Sequence, residues 1–108
     1  MDDGCSPIIH NTIIRNNTAS GYGCAIRVNN GNPVLNHCTI TNNSDTSGDD
    51  AALYFQTYNG SISNSIIWGN NTTDDIYNAG NDPNLNYCNI QGTWTGTGNI
   101  DSDPLFCD

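Results

Sequence analysis

Two pairs of adjacent aspartates are the residues of this sequence best suited to chemistry. They are Asp49-Asp50 and Asp74-Asp75, and each pair lies just before an alternating apolar segment. If the two segments stack in register, up to four carboxylates come close together. Calcium prefers about six to eight oxygen ligands, which carboxylates and loop carbonyls can supply. These residues are therefore a candidate calcium site, and the alternative is an acidic loop exposed to solvent.

Aromatic side chains form a second candidate site, for stacking on sugar rings. The residues that we expect to contribute are Trp68, Tyr54 and Trp94. Trp68 occupies a position that we expect to face solvent, and an exposed Trp indicates a contact site because its ring is large and amphipathic. The alternative is that these rings pack beneath surface loops.

The charge of the chain disfavours several classes of partner. Its 108 residues include eleven acidic side chains, all Asp, against two arginines and no lysine, for a formal net charge of -9. No basic patch is available to release counterions from nucleic acid or an anionic membrane, so binding to either is disfavoured. A strongly anionic glycan is disfavoured as well, unless a cation intervenes. We recognise neither a membrane span nor a signal peptide.

A spacing that recurs four times must position the candidate residues. It reads apolar residue, two residues, small residue, one residue, Ile, two residues, then usually Asn. The Ile positions, separated by 26, 27 and 23 residues, are Ile14, Ile40, Ile67 and Ile90. A period of this length is typical of a solenoid whose repeats stack on one another. We predict one all-β domain over 1–108, with about four coils starting near 7, 33, 60 and 83, an incomplete fifth coil from 104, and little capping.

The small position of the repeat is occupied by cysteine in two copies. Cys38 and Cys88 stand at equivalent positions, with Ser65 between them. Stacked strands are about 4.8 Å apart, so the two thiols would lie about 10 Å apart, too far for a disulfide. We expect both to be small buried side chains.

A polar corner and a further limb follow the Ile in each repeat. The corner residues in the first three copies are Asn17, Asn43 and Asn70. Asn tolerates the left-handed conformation of a sharp corner, and its amide can bond the equivalent amide one coil away. The limbs that follow alternate in and out, at 25–28, 52–55 and 75–77, with Ile100 as a candidate fourth member.

The repeats resemble those of the right-handed parallel β-helix, or pectate-lyase-like, superfamily, whose hallmark is a stack of I-x-x-C-x-I-x-x-N coils. The run 14–17 followed by 21–26 is similar to repeats of polymorphic outer-membrane proteins, bacterial surface proteins of which many are adhesins. Segments 64–70 and 98–106 are similar to the last coils of large secreted bacterial β-helix proteins. The resemblance implies a right-handed parallel β-helix, and it favours calcium at the paired aspartates because polysaccharide lyases of this fold bind calcium through Asp.

We predict no catalytic residue. The base of lyases with this fold is often Arg or Lys, and the chain offers only Arg15 and Arg27, both in the first full coil and away from the paired aspartates. Glycoside hydrolysis needs two opposed carboxylates, and no particular pair stands out. We therefore favour a non-enzymatic protein. The alternative is a calcium-dependent, polysaccharide-active domain of the lyase type.

The function that we expect is that of a structural or adhesive module of a surface or secreted protein, with a neutral glycan or a protein as ligand. Strand edges at the ends of a solenoid are templates for another chain. We therefore expect a homodimer or larger homo-oligomer formed through the stack ends, or a segment of a longer chain. As part of a larger protein it would be extracellular or on the cell surface. A third alternative is a truncated reading frame that folds without a selected activity.

Overall fold

Every strand pairing in the described chain is parallel. The computed structural model describes residues 1, 4–48, 51–56, 59–80 and 83–107, and within these residues it contains thirteen short strands and no helix. The all-β prediction is confirmed. The composition explains this result, because Asn, Asp, Gly and Thr favour turns and extended segments while the strongest helix formers are scarce.

The first sheet joins the opening strand of each of the four repeats. Its strands, in spatial order, are β1 (Ile8–His10), β5 (Val34–Asn36), β9 (Ser61–Ser63) and β12 (Asn84–Asn86). The middle residue of each strand points into the core, so one apolar column runs through Ile9, Leu35, Ile62 and Leu85. Ile9 lies on the edge strand and is only half-buried.

The second sheet contains the Ile of each repeat. Its strands are β2 (Ile13–Arg15), β6 (Thr39–Thr41), β10 (Ile66–Trp68) and β13 (Asn89–Ile90). The pairing places four equivalent residues opposite one another, namely Ile14, Ile40, Ile67 and Ile90. The last three of these are fully buried. The column exists because side chains alternate across a strand and the repeat keeps this phase.

A third sheet completes the walls of the core. It consists of β4 (Ile26–Val28), β8 (Ala51–Phe55) and β11 (Asp74–Asn78), and a small pair is formed by β3 (Thr18–Ala19) and β7 (Ser44–Asp45). Two alternate positions of the third sheet point inward, and the apolar residues of all three sheets form one hydrophobic cluster. The position between them points outward and carries Arg27, Tyr54 and Tyr77 in register.

A left-handed residue makes the bend between the first and second sheets. The residues with positive φ at this bend are Asn11, His37, Asn64 and Tyr87. The small residue that follows turns its polar atom back to the chain: the Ser65 Oγ donates to the Ser63 carbonyl at 2.7 Å, and the Cys88 Sγ lies 3.3 Å from the Asn86 carbonyl. Cys38 and Cys88 are free thiols, each 1% exposed.

The asparagine corner differs in one respect from the sequence expectation. The left-handed residue is the one that precedes the corner position, at Asn16, Asn42, Gly69 and Gly92. Asn16 and Asn42 turn the chain with their own side chains exposed, and the asparagine that follows each of them bonds a neighbouring repeat. The Asn43 Oδ1 accepts from the backbone N–H and the Nδ2 of Asn17, and the Asn70 Oδ1 accepts from the same two groups of Asn43.

The segment after the fourth repeat covers the edge of that repeat. The Tyr87 N–H donates to the Thr97 carbonyl at 2.8 Å, and Ile100 forms a parallel bridge with Asn89 of β13. Ile100 therefore extends the second sheet. It is not a fourth member of the third sheet, because the short connection 91–99 brings the chain back beside β13. Residues 101–107 form no strand.

None of the described segments is a helix of the length and apolar character that crossing a membrane requires.

Candidate functional site

A polar cleft lies between the start of β11 and the segment that follows β13. Its volume is about 420 Å³. One side is formed by Asn70 and the two threonines that follow, Thr72 and Thr73, together with Asp74 and Asp75, and the other side is formed by residues 91–94. Three residues predicted to belong to separate sites, Asp74, Asp75 and Trp94, thus line the same cleft.

Asp75 is the most unusual residue of the cleft, because its carboxylate is buried. The side chain is only 8% exposed, and its Oδ1 accepts from the Asn70 Nδ2 at 2.7 Å. Its Oδ2 is buried with no hydrogen-bond partner among the described residues. Burial raises the pKa of Asp75 to about 6, and the nearby Asp74 charge acts in the same direction, whereas the hydrogen bonds from Asn70 oppose the shift. Burial dominates because the charged form loses its hydration.

Two hydrogen bonds hold the opposite wall in place, one to the preceding repeat and one within the 91–99 segment. The Gln91 Oε1 accepts from the Gly69 N–H at 3.0 Å, and the Asn99 Nδ2 donates to the Trp94 carbonyl at 3.4 Å. Gly92 has a φ of 85°, which allows the chain to turn between these two points. The Trp94 side chain is half-buried and packs against the hydrophobic core. Trp94 therefore both lines the cleft and takes part in the packing of the core.

The threonines of the near wall are oriented by backbone carbonyls. The Thr72 Oγ1 donates to the Asp74 carbonyl at 2.8 Å, and the Thr73 Oγ1 donates to the Gly48 carbonyl at 2.9 Å. Because each hydroxyl has used its hydrogen, the lone pairs of its oxygen remain as acceptors. Asp74 itself is exposed.

The calcium prediction falls partly outside the described residues. Asp49 and Asp50 lie outside the described residues, and the pairing of β11 with β8 sets Asp74 opposite Ala51. Within the described residues no cluster of three or more His, Cys, Asp or Glu side chains suits a metal ion. The described donors, two carboxylates and two hydroxyls, do not by themselves complete a calcium site.

The third sheet carries a column of tyrosines on its outer face. The Tyr54 and Tyr77 rings stack with centroids 5.3 Å apart and planes 9° apart, and the Tyr22 ring centroid is 4.6 Å from that of Tyr54. The Arg27 guanidinium lies 5.5 Å from the Tyr22 ring centroid. Tyr22 is 55% exposed and Tyr77 is 46% exposed. Tyr22, Tyr54 and Tyr77 are called the tyrosine column below.

The remaining predicted residues lie elsewhere. Trp68 is half-buried at the end of β10, in the outward column that begins with Arg15 and Thr41. Neither it nor the two arginines line the cleft. Tyr54 packs against two other rings, so the more exposed Tyr22 and Tyr77 are better placed to meet a ligand.

Sequence reasoning missed two contributors. Tyr22 belongs to a Gly-Tyr-Gly loop outside the alternating limbs, so no periodicity marks it. Asn70 was predicted only as a structural corner residue, although it also lines the cleft and holds Asp75. The sequence signal for this second role of Asn70 is that it is the last of the corner asparagines, since the next repeat has Thr93 at the corner position.

No family model, no curated protein and no solved structure matches this chain.

Proposed function

We propose that the chain is a short right-handed parallel β-helix of about four coils that acts as a non-enzymatic structural or adhesive module. The parallel sheets with equivalent residues in register support the coil arrangement. A coil of this kind presents long side faces to the solvent, which suits contact with a glycan or a protein. An experimental crystal structure tests the handedness, and a left-handed or non-helical path of the chain would contradict the proposal.

The observation that carries the adhesive function is the tyrosine column. The Tyr54 and Tyr77 rings stack over adjacent strands of the third sheet, and the Tyr22 ring is tilted against that of Tyr54. The Arg27 guanidinium lies 5.5 Å from the Tyr22 ring centroid and 6.0 Å from that of Tyr54. Tyrosine is favoured in contact surfaces because its ring is broad and rigid and ends in a polar group. An exposed aromatic strip of this kind is a recognition surface for a sugar face or for a protein side chain.

The test is a binding assay on immobilised neutral glycans and on intact cells. The variant Tyr22→Ala/Tyr77→Ala should lose most of the binding and keep the far-ultraviolet circular dichroism of the parent. The matched control is Tyr87→Asn, because Tyr87 is 62% exposed, lies outside the column and has a φ of 55°, which Asn accepts. Unchanged binding by the double variant, or no binding by the parent chain, would contradict the proposal.

The proposal extends to assembly and location. The chain associates with a second copy through the exposed edges of its first and last repeats, as a homodimer, or continues as part of a longer protein. In either case we propose that the module lies outside the cell or on its surface, as do the bacterial β-helix proteins that its repeats resemble.

A second candidate function is a calcium-dependent, polysaccharide-active domain of the lyase type. The observation that favours it is the cleft, where Asp74 and Asp75 lie with an aromatic wall. The test is incubation with polygalacturonate and calcium, followed by the absorbance of unsaturated products and by thermal unfolding with and without chelator. Product formation that is abolished by chelator and by Asp75→Asn would establish this function in place of the adhesive one.

A further inference from the structure

The first repeat presents a strand edge with unused hydrogen-bonding groups. In the second sheet the Thr39 N–H donates to the Thr12 carbonyl, toward the preceding repeat. Ile13 is the equivalent of Thr39 in the first repeat, so its N–H points away from β6. The same holds in the first sheet for Ile8, because its equivalent Val34 donates to a carbonyl of the preceding repeat. Within the described residues, β1 and β2 have no strand on that side, and these two strands are called the first edge below.

At the other end of the stack, backbone groups of the fourth repeat already have partners. The Ile100 N–H donates to the Cys88 carbonyl at 2.9 Å, and the Ile100 carbonyl accepts from the Ile90 N–H at 3.0 Å. The Asn99 Nδ2 donates to the Leu85 carbonyl at 3.1 Å. The segment after the fourth repeat thus takes up these groups. This end of the first and second sheets is called the last edge below.

Carboxylates protect the last repeat further. Asp101 is exposed on the segment that covers the last edge. In the third sheet, β11 also pairs on one side within the described residues, but it begins with Asp74 and Asp75. Charged side chains at a strand edge deter pairing with another chain, because pairing would remove them from water. A second chain therefore meets unfavourable groups at this end.

The core is less well covered at the first edge than at the last. Ile9 and Ile14 end the two apolar columns at the first edge, and both are only half-buried. At the last edge the same columns end in Leu85 and Ile90, which are 2% and 1% exposed. A chain that pairs with the first edge buries the ends of the columns, which is favourable because apolar surface leaves water.

The charge distribution favours contact between two copies at the first edge. Arg15 and Arg27 lie in residues 1–44 together with two of the eleven aspartates, so this part of the chain is formally neutral. The other nine aspartates lie in residues 45–108. Two copies of a chain with a formal net charge of -9 repel each other least where their neutral parts meet.

We propose that the first edge is the interface of a homodimer with two-fold symmetry, in which β1 and β2 of one copy pair with the first edge of a second copy. A second copy supplies what this edge needs, since its own first edge has the same unused backbone groups and the same half-buried isoleucines. The last edge attracts the first edge by charge, but its backbone groups are already bonded. This inference rests on the self-association proposed above and deepens it by naming the edge that pairs.

Light scattering over a concentration series tests the symmetry of the contact. An isologous contact uses the same surface on both copies and closes, whereas a contact between unlike ends leaves a free end on each copy. The mass should therefore rise with concentration and level off at twice the mass of the chain. A mass that keeps rising beyond the dimer, or that stays at the monomer throughout, would overturn the inference.

The backbone donor is tested by Ile13→Pro. Ile13 is the first residue of the edge strand β2, where proline is tolerated, and its N–H points away from β6. The dissociation constant of the dimer should rise about tenfold or more, because two-fold symmetry removes the donor twice. The matched control is Ile13→Thr, which keeps the N–H and introduces the residue type of Thr39; it should dimerise within about threefold of the parent. Equal dimerisation by Ile13→Pro and the parent would overturn the inference.

A mixing experiment identifies the edges without relying on proline. The first-edge variant is Ile8→Lys/Ile13→Lys, and the last-edge variant is Ile100→Lys/Asp101→Lys. The last-edge variant should dimerise by itself as the parent does, and the first-edge variant should stay monomeric when the two are mixed. If both variants are monomeric alone and form a one-to-one dimer when mixed, the contact joins unlike ends and the inference is overturned.

The outcomes also separate this inference from the proposals on which it builds. A contact between unlike ends ends this inference and leaves the proposed self-association standing. A parent chain that never associates ends both, while the adhesive function is decided separately by the variant Tyr22→Ala/Tyr77→Ala.

Discussion

Asp75 accepts the last hydrogen bond in the series of corner asparagine side chains. Asn43 and Asn70 each accept the Nδ2 of the preceding corner residue, at 2.9 and 3.0 Å, and the Asp75 Oδ1 accepts the Nδ2 of Asn70 at 2.7 Å. The fourth repeat has Thr93 at the corner, which carries no amide. A carboxylate supplies the acceptor but no N–H donor, and its Oδ2 has no hydrogen-bond partner among the described residues.

We therefore predict that Asp75→Asn stabilises the chain at neutral pH. Since the pKa of Asp75 rises from 3.8 to about 6 on folding, the folded state takes up a proton in this interval and stability falls as the pH rises through it. The asparagine does not titrate. The advantage of the variant in unfolding free energy should be small near pH 3.5 and reach roughly 3 kcal/mol above about pH 7, because each unit of the pKa change from 3.8 to about 6 is worth ~1.4 kcal/mol.

Urea unfolding at both pH values measures this difference, with Asp101→Asn as the control for general loss of negative charge. A variant that is no more stable than the parent at neutral pH would show that the burial of Asp75 is not unfavourable.

Asp45 shows the opposite behaviour, because its carboxylate accepts several hydrogen bonds. Its carboxylate accepts from the Ser47 hydroxyl and N–H, and from the N–H groups of Gly48 and Gly21. These bonds, that of the Ser47 hydroxyl first, lower the pKa of Asp45 to about 2 although the side chain is buried.

We predict that Asp45→Asn lowers the melting temperature at neutral pH, because an amide turns an NH₂ group toward donors. The depressed pKa means that the stabilisation by Asp45 is complete above pH 3.8 and is lost as the pH falls toward about 2. The melting temperatures of parent and variant, plotted against pH, should therefore converge near pH 2. A difference in melting temperature that stays constant down to pH 2 would mean that the charge of Asp45 does not contribute to the stability.

At the scale of elements, the corner after the second sheet depends on two adjacent asparagines with different roles. Asn42, with a φ of 53°, turns the chain and is exposed, whereas Asn43 is fully buried. The Asn43 Nδ2 donates to the carbonyls of Ile14 and Thr41 and to the Asn70 Oδ1. One side chain thus joins three successive repeats.

We predict that Asn43→Ala destabilises the chain by roughly 3 kcal/mol, because it leaves buried backbone groups of two neighbouring repeats without partners. The matched control is Asn42→Gly, which keeps the left-handed turn and should change the stability by less than about 1 kcal/mol. Denaturant unfolding of the two variants side by side decides the matter. Similar losses for both would indicate that the turn, and not the amide ladder, stabilises the corner.

At the scale of the whole molecule, the two ends of the sheets differ. Within the part of the chain that the structure describes, strands β1 and β2 each pair on one side only, and Ile8 and Ile13 on these strands are 72% and 67% exposed. The opposite edge is partly covered by the segment that includes Ile100. An uncovered edge with apolar side chains is a surface on which another strand pairs.

We predict that the mass measured by light scattering rises with protein concentration and that Ile8→Lys/Ile13→Lys shifts the protein to the monomer, since charged edges repel pairing. Thr39→Lys, in the same column as Ile13 but one repeat further in, is the control and should not change the mass. A parent chain that stays monomeric over the whole range would contradict self-association through this edge.

Much of the fold could be predicted because the repeat carries its information locally. Leu35, Ile40 and Cys38 recur at fixed spacing, and a fixed spacing places equivalent side chains on the same side of successive strands. The candidate site was less predictable. Asp74, Asp75 and Trp94 were each singled out by residue type, but nothing in the spacing indicated that residues 91–94 face the start of β11.

The sequence by itself determined the strand content, the phase of each strand and the columns that fill the core, since these depend on residue type and period alone. Only the tertiary structure decided that Asp75 accepts the Asn70 amide in a buried position, that Trp94 lines the same cleft, and that Tyr22 joins the tyrosine column. The physical reason is that these contacts join loops of unequal length, whose paths are set by the packing of the repeats on either side and not by any period of the chain.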